Sequence, residues 1–192
     1  MIFQKKKGQF AYLKKAPVYQ GLFTLLLMIL PAGLFFIGFF TTHTPKNLFT
    51  VAAVVGMLPA AKGIVSFIMY LRAEKHSCPD SLHDKITPYE GKNILIGYDY
   101  YLTSYSVNYP VCVAAVGKNA LVGLTLDSKT KCNDVEAHLK EYLKKNEISD
   151  ITVKIFDSEE KFLTRLESLS SSEDKASENE TRAFLLLSSL AL

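Results

Sequence analysis

Residues 21–40, GLFTLLLMILPAGLFFIGFF, form a run of twenty consecutive residues without a charged side chain. An α-helix rises about 1.5 Å per residue, so a helix of this length matches a hydrocarbon core of about 30 Å. Pro31 lies within the run and is expected to kink the helix, because it lacks a backbone donor and crowds the preceding turn. We therefore predict a membrane span here. A signal peptide is the alternative, although its apolar core usually has only about 7–15 residues.

A second apolar run covers residues 48–71 and is interrupted only by Lys62. A short polar loop, residues 41–47, separates it from the first run. Because a chain in lipid must satisfy its backbone hydrogen bonds internally, two such runs predict a hairpin of two transmembrane helices.

Small residues recur every four positions along the second run, at Ala52, Gly56 and Ala60. Small side chains on one stripe of a membrane helix allow another helix to approach closely. We predict that this stripe packs against the first span, and a dimer interface between two copies is the alternative.

The lysine distribution predicts the orientation of the hairpin. Residues 1–17 contain five lysines and no acidic residue, and Arg72, Lys75 and Lys85 follow the second run. The connecting loop contains only Lys46. Since basic residues collect on the cytoplasmic side of membrane proteins, we predict a multi-pass protein of the cell membrane with both termini in the cytoplasm.

Lys62 is the one ionisable side chain inside a predicted span. A charge at this depth costs about 2.5–3.5 kcal/mol on insertion scales and is a functional hypothesis by default. At about 100° per residue, Lys62 points about 200° away from Ala60 and lies off the small-residue stripe. Its side chain would either reach back toward the cytoplasmic interface or face a partner subunit with an acidic residue. The second possibility includes a role in an oligomeric transporter or channel.

The remainder of the chain has a different charge balance. Residues 93–192 contain eleven basic and fifteen acidic residues, which argues against nucleic-acid binding through long-range charge. The three cysteines, Cys78, Cys112 and Cys132, have no paired spacing that would indicate a disulfide framework or a structural zinc site. We expect neither a metal nor a cofactor.

The pattern after residue 92 predicts a small α+β domain with the element order β-β-β-α-β-α. We expect a mixed sheet with the helices on one face, the simplest packing for so few elements. The predicted elements are strands at 94–102, 110–116 and 120–126, a helix from Asn133 or Asp134, a strand at 151–156 and a helix from Ser158.

The resulting domain organisation has five parts. They are a basic cytoplasmic N-terminus at 1–17, the transmembrane hairpin at 18–71, a juxtamembrane linker at 72–92, the α+β domain at 93–169, and a flexible Ser/Glu-rich segment with an apolar C-terminal tail at 170–192. The tail is too short to span a bilayer, so it would dock on the domain or lie on the membrane.

Asp127-Ser128-Lys129 directly follows the third predicted strand. An acid-x-Lys at that point, in an α-β-β-β-α-β order, is similar to the layout of restriction-endonuclease-like domains, and the resemblance covers about 80 residues. It implies paired acids that hold a divalent cation and a lysine that helps to activate water. Asp99 on the first strand is the only candidate for the second acid, because the second strand, where that acid is usually found, has none. A membrane-tethered, metal-dependent nuclease-like enzyme is therefore an alternative function.

Tyrosines crowd the first predicted strand and the turn after it. Tyr98 and Tyr100 alternate with Tyr101, and Tyr105 follows. Tyrosine is enriched in binding hot spots, so an exposed set would form an interaction surface, with core packing as the alternative.

No catalytic motif is evident, and we predict a membrane-anchored accessory or interaction protein. Its partners would be the lipid bilayer and either another membrane or cytoplasmic protein or a second copy of this chain.

Overall fold

The computed structural model describes residues 6–91, 93–104, 107–171 and 176–192. Their contacts divide the chain into two compact units. One unit is Lys14–Lys75, and the other joins residues 6–13 to His76–Leu192. The second unit is therefore discontinuous in sequence, because the first is inserted after residue 13.

The first unit, Lys14–Lys75, is a hairpin of two long apolar helices. Helix α1 (Tyr12–Thr42) begins two residues before this unit, and α2 (Leu48–Glu74) lies within it. Each is long and apolar enough to cross a membrane, and the mean hydropathy of its most apolar 18-residue stretch is 2.4 in α1 and 1.9 in α2. At about 1.5 Å per residue, the 31 residues of α1 extend about 46 Å. The side chain of Asn47 caps α2 by accepting a hydrogen bond from the backbone N–H of Thr50 at 2.9 Å.

The two helices touch where a glycine on one faces a larger side chain on the other. A Cβ atom added at Gly63 would lie 2.8 Å from Thr24 Oγ1, and one at Gly56 would lie 3.3 Å from Pro31 Cβ. On α1, Gly21 faces Phe67 in the same way, at 2.9 Å from Cε2. The hairpin is therefore packed by complementary shape along its length.

The buried stripe of α2 differs by one position from the predicted one. Ala53, Ala60 and Gly63 are buried, Gly56 is partly buried, and Ala52 is exposed. A strict four-residue step drifts by about 40° per step on a helix, whereas alternating steps of three and four residues stay on one face. The packing stripe therefore includes Gly56 and Ala60 but not Ala52.

Replacing Gly63 with alanine is expected to separate α1 from α2 near Thr24, because the new methyl group would overlap the buried hydroxyl group. Overpacking of this kind costs about 1–3 kcal/mol. The measurement is the distance between spin labels at two exposed positions, Leu30 and Leu58, in detergent micelles. Gly33→Ala is the matched control, since a Cβ at Gly33 would meet nothing within 4 Å. Equal label distances in the two variants would contradict the packing described here.

The second unit contains a four-stranded mixed sheet. The elements are β1 (Leu95–Thr103), β2 (Asn108–Gly117), β3 (Ala120–Leu124), α4 (Cys132–Lys145) and β4 (Thr152–Phe156). The strands lie in the order β1-β2-β3-β4; the first two pairings are antiparallel, and β4 is parallel to β3. Helix α4 connects β3 to β4.

Helices cover both faces of this sheet, so the prediction that they share one face is wrong. Helix α4 and the C-terminal α6 (Glu178–Leu190) pack on one face, with Val135, Leu139 and Leu187 in the core. The short α3 (Asp80–Ile86) and α5 (Glu159–Ser170) pack on the other. The physical reason is visible in β2, which is buried on both faces and therefore has a continuous apolar sequence.

Two segments predicted to lie outside the domain belong to it. In the linker, α3 and a 3-10 helix (Thr87–Tyr89) follow α2, and Leu82 and Ile86 are buried. In the tail, a capping box formed by Ser177 and Glu180 starts α6. From residue 176 onward the segment predicted to be flexible is thus ordered, and its apolar end docks on the domain; residues 172–175 lie outside the described part.

The N-terminal segment also belongs to the domain. Gly8 forms an antiparallel bridge with Tyr98 of β1, whose backbone N–H donates to Gly8 O at 2.9 Å. At the other end of β1, the backbone N–H of Leu192 donates to Tyr101 O at 2.9 Å. Segments near both ends of the chain thus cover part of the outer edge of β1, which would otherwise be open to pairing with another strand. The predicted basic segment 1–17 is therefore divided between the two units after residue 13. Its first five residues lie outside the part of the chain that the structure describes.

Candidate functional site

Asp99 lies at the centre of a buried polar cluster. Its residue exposure is 2%, and its φ of 58° is left-handed although it lies within β1. Its carboxylate accepts hydrogen bonds from the backbone N–H of Cys78 at 2.7 Å and of Leu13 at 3.1 Å. The hydroxyl group of Ser77 lies 3.0 Å from both carboxylate oxygens.

The position of these donors gives Asp99 a structural role. Leu13 is in the first turn of α1, where backbone N–H groups lack intrahelical partners and a nearby negative charge is favourable. Cys78 follows α2 in the chain. Asp99 therefore joins, inside the domain, the segment that precedes the hairpin to the segment that follows it.

Two buried cysteines lie beside Asp99. Cys112 of β2 is opposite Asp99, since the neighbouring pairs are Tyr98 with Val113 and Tyr100 with Val111. Contact with the Cys78 thiol, burial and the negative charge of Asp99 raise the pKa of the Cys112 thiol. A protonated, buried thiol is a poor nucleophile, so Cys112 packs as a small apolar residue.

Asp127 forms a local turn. Its Oδ1 accepts from the backbone N–H of Lys129 at 3.2 Å, and its Oδ2 accepts from Thr130 Oγ1 at 2.8 Å. Burial raises the pKa of the Asp127 carboxyl, but these two hydrogen bonds lower it by more, so the pKa lies below its usual value. The side chain of Lys129 is exposed. Hydrogen bonds to neighbouring residues of this kind are typical of aspartates in turns.

Asp99 and Asp127 are not joined in a metal site. Asp99 is on β1, whereas Asp127 follows β3, so two strand spacings, about 10 Å in total, separate their strands. Across the described ranges, no group of three or more His, Cys, Asp or Glu side chains is placed to hold a metal ion. The acid-x-Lys pattern therefore has no assembled cation site there.

Two further buried carboxylates bind backbone groups. Glu136 of α4 is 8% exposed, and its Oε1 accepts from the backbone N–H of Ile155 at 3.0 Å on the edge strand β4. Lys154 Nζ lies 3.0 Å from the same oxygen. Glu180 accepts from the backbone N–H of Asn119 at 2.6 Å, which ties the β2–β3 turn to α6. Neither role was predicted from the sequence. Glu136 is three residues before the buried Leu139 and so lies near the apolar stripe of α4.

Replacing Glu136 with glutamine is expected to lower the free energy of unfolding by about 1–2 kcal/mol at pH 7, since the bond to Ile155 would lose its charge. Burial raises the pKa of Glu136, but the bonds from Ile155 and Lys154 lower it by more, so that it lies below the ordinary glutamate value of 4.5. The stabilisation is thus present above pH 4.5 and lost as the pH falls through the lower, folded-state pKa.

Urea unfolding of the full chain in detergent, repeated from pH 7 to pH 3, measures this difference. Glu141→Gln is the control, because Glu141 makes only an exposed ion pair with Lys145 and should not change stability measurably. A Glu136→Gln deficit that is the same at every pH would contradict the assignment.

The tyrosines of β1 do not form an exposed surface. Tyr98, Tyr100 and Tyr101 are 4%, 1% and 6% exposed, because helices or flanking segments cover both faces of the sheet. Tyr98 donates a hydrogen bond to Glu90 Oε1 at 2.5 Å, and burial raises the pKa of Tyr100 to about 12. Tyr105 lies outside the described residues. The described tyrosines are therefore core residues, and the hypothesis of an interaction surface on them is corrected.

Lys62 is exposed on α2. Its neighbours on the helix, Ala60 and Gly63, are buried against α1, so the lysine lies on another side of the helix. The Lys62 side chain therefore projects from the part of the α2 surface that α1 does not cover.

In comparisons with known proteins, no protein-family model, curated protein or solved structure matches this chain. The geometry of the described residues defines a small α+β domain into which an apolar two-helix hairpin is inserted after residue 13.

Proposed function

We propose that this chain is a membrane-anchored accessory or interaction protein whose hairpin spans the cell membrane. The observation that supports it best is where large apolar side chains are exposed. In the described ranges, all but three of them lie on the hairpin; the exceptions are Val107, Leu126 and Leu185. Only 17% of the most apolar window of each helix is buried.

The free energy of the exposed apolar surface of these helices is lower in lipid than in water. Leu30 is 68% exposed, Phe40 69% and Leu58 69%, and transfer of such surface out of water is worth about 25 cal/mol per Å². Soluble monomers rarely expose contiguous apolar patches larger than a few hundred Å². A bilayer would cover the surface of both helices at once.

The basic residues support cytoplasmic termini. Lys14 and Lys15 lie in α1 near its start, and Arg72 and Lys75 lie at the end of α2, so all four are at one end of the antiparallel hairpin. The opposite end of the hairpin, formed by the connecting loop 41–47, has only one basic residue, Lys46. By the positive-inside rule, this asymmetry supports a cytoplasmic location of the domain.

The buried acids favour a binding role over catalysis. Asp99, Glu136 and Glu180 use their carboxylates to hold backbone N–H groups, and the acidic turn at Asp127 is satisfied locally. Groups committed in this way stabilise the fold and are not poised for proton transfer or cation binding. We therefore propose that the domain acts through what it binds.

Membrane integration and topology can be tested in cells expressing the full chain. The chain should remain in the membrane after alkaline carbonate extraction. In a Cys132→Ser background, Thr44→Cys in the loop should react with an impermeant thiol reagent from outside. Ser149→Cys in the domain is the matched control and should react only after permeabilisation. Release by carbonate, or labelling of Ser149→Cys in intact cells, would refute the proposal.

A further inference from the structure

We propose that the Lys62 side of α2 binds a transmembrane helix of a different protein, and that this helix carries an aspartate or glutamate at the depth of Lys62. The inference rests on the proposed function, since it requires the hairpin to span a membrane. It deepens that function by specifying the chemistry of the partner.

The Lys62 side chain projects away from α1. Helix α1 occupies the side of α2 that contains Ala60 and Gly63, both of which are buried. Lys62 is exposed, so it does not use α1 as a partner. In a bilayer this side of α2 meets lipid or another helix, and an ammonium group in lipid alone is costly.

Lys62 also lies deep within α2. Lys62 is ten residues before Arg72, a distance of about 15 Å along the helix. The four-carbon stem of a lysine is too short to cross that distance to the basic end of the hairpin. Reaching back toward the interface would therefore leave the charge partly within the hydrocarbon layer.

The composition of the hairpin restricts which partner can supply the acidic residue. Residues 16–71 contain no aspartate or glutamate, so the hairpin of a second copy cannot supply a carboxylate at the depth of Lys62. A different chain must therefore provide it. A carboxylate in contact with the ammonium group offsets part of the desolvation cost of both groups.

The experiment uses two synthetic probe helices of equal length. Both are leucine-rich spans; one has a single glutamate ten residues from its cytoplasmic end, and the other has leucine there. Each is labelled for energy transfer and reconstituted with the full-length chain in phosphatidylcholine vesicles. We expect the glutamate helix to associate about tenfold more tightly than the leucine helix.

Variants of Lys62 identify the responsible group. Lys62→Leu should abolish the preference for the glutamate helix, and Lys62→Arg should retain it because the positive charge remains. Lys46→Leu removes a lysine from the loop and is the matched control, which should leave the preference unchanged.

Equal association of both probe helices with the natural chain would overturn the inference and leave a lysine that reaches toward the interface. An unchanged preference in Lys62→Leu would overturn it as well. Loss of the chain from carbonate-extracted membranes would instead refute the proposed function, so the two failures are distinguishable.

Discussion

Replacing Asp99 with alanine is expected to lower the free energy of unfolding of the domain by about 3–5 kcal/mol. The variant would leave the buried N–H groups of Leu13 and Cys78 without their acceptor. It would also place alanine at a φ of 58°, a conformation that aspartate and asparagine tolerate better. The first effect releases the segments that flank the hairpin, and the second strains β1 itself.

The measurement is urea unfolding of the full chain in detergent micelles, followed by the near-ultraviolet circular dichroism of the tyrosines. The full chain is required because residues 6–13 belong to the domain. Asp99→Asn should lose less, about 1–2 kcal/mol, since the amide oxygen can still accept one bond.

Asp150→Ala is the matched control for the Asp99 experiment. Asp150 has a similar φ of 65° but is exposed, so its replacement tests the backbone effect with the loss of only one exposed hydrogen bond, from Ser149 Oγ. We expect it to cost about 1 kcal/mol. Equal losses for Asp99→Ala and Asp150→Ala would show that the hydrogen bonds of Asp99 contribute nothing.

Replacing Gly97 with alanine is expected to destabilise the domain by about 3 kcal/mol, because the added methyl group would overlap the side chain of Tyr100. A Cβ at Gly97 would contact Tyr100 Oη and lie 2.8 Å from Cζ. Gly8 approaches the same phenol, since a Cβ there would lie 2.9 Å from Oη. Tyr100 is 1% exposed and has no free space into which to move.

A double-mutant cycle separates this overlap from other effects. Tyr100→Phe removes the oxygen nearest to the new methyl group and loses only a long contact with Ser188 at 3.4 Å. We expect it to cost less than about 1 kcal/mol alone. In the Tyr100→Phe background, Gly97→Ala should cost at least about 1 kcal/mol less than in the natural chain. Additive losses in the two variants would mean that Gly97 is required for another reason.

The helices and strands were largely predictable because their signals are local. An uncharged run of twenty residues predicts a long helix whatever surrounds it, and the structure has α1 across that run. The strand at 151–156 alternates in hydrophobicity and corresponds to β4. The burial of Asp99 was less predictable, because its partners Leu13 and Ser77 are far away in sequence.

The errors share a physical cause. The apolar β2 indicates burial on both faces, but the linker is polar and the tail is apolar only toward its end, so both have weak local signals for helices that cover the sheet. Their helices are stable because they pack on the sheet, as most protein helices are. The tyrosines of β1 were ambiguous for the same reason, since their exposure depends on what covers each face.

The sequence by itself determined two long apolar helices followed by a small mixed sheet with helices, because hydrophobic periodicity and charge are written residue by residue. Only the tertiary structure decided which side of α2 meets α1, and hence that Lys62 and Ala52 lie away from it. It also decided that Asp99 binds the chain on both sides of the hairpin. Contacts between distant residues depend on packing and backbone geometry, which the local pattern does not specify.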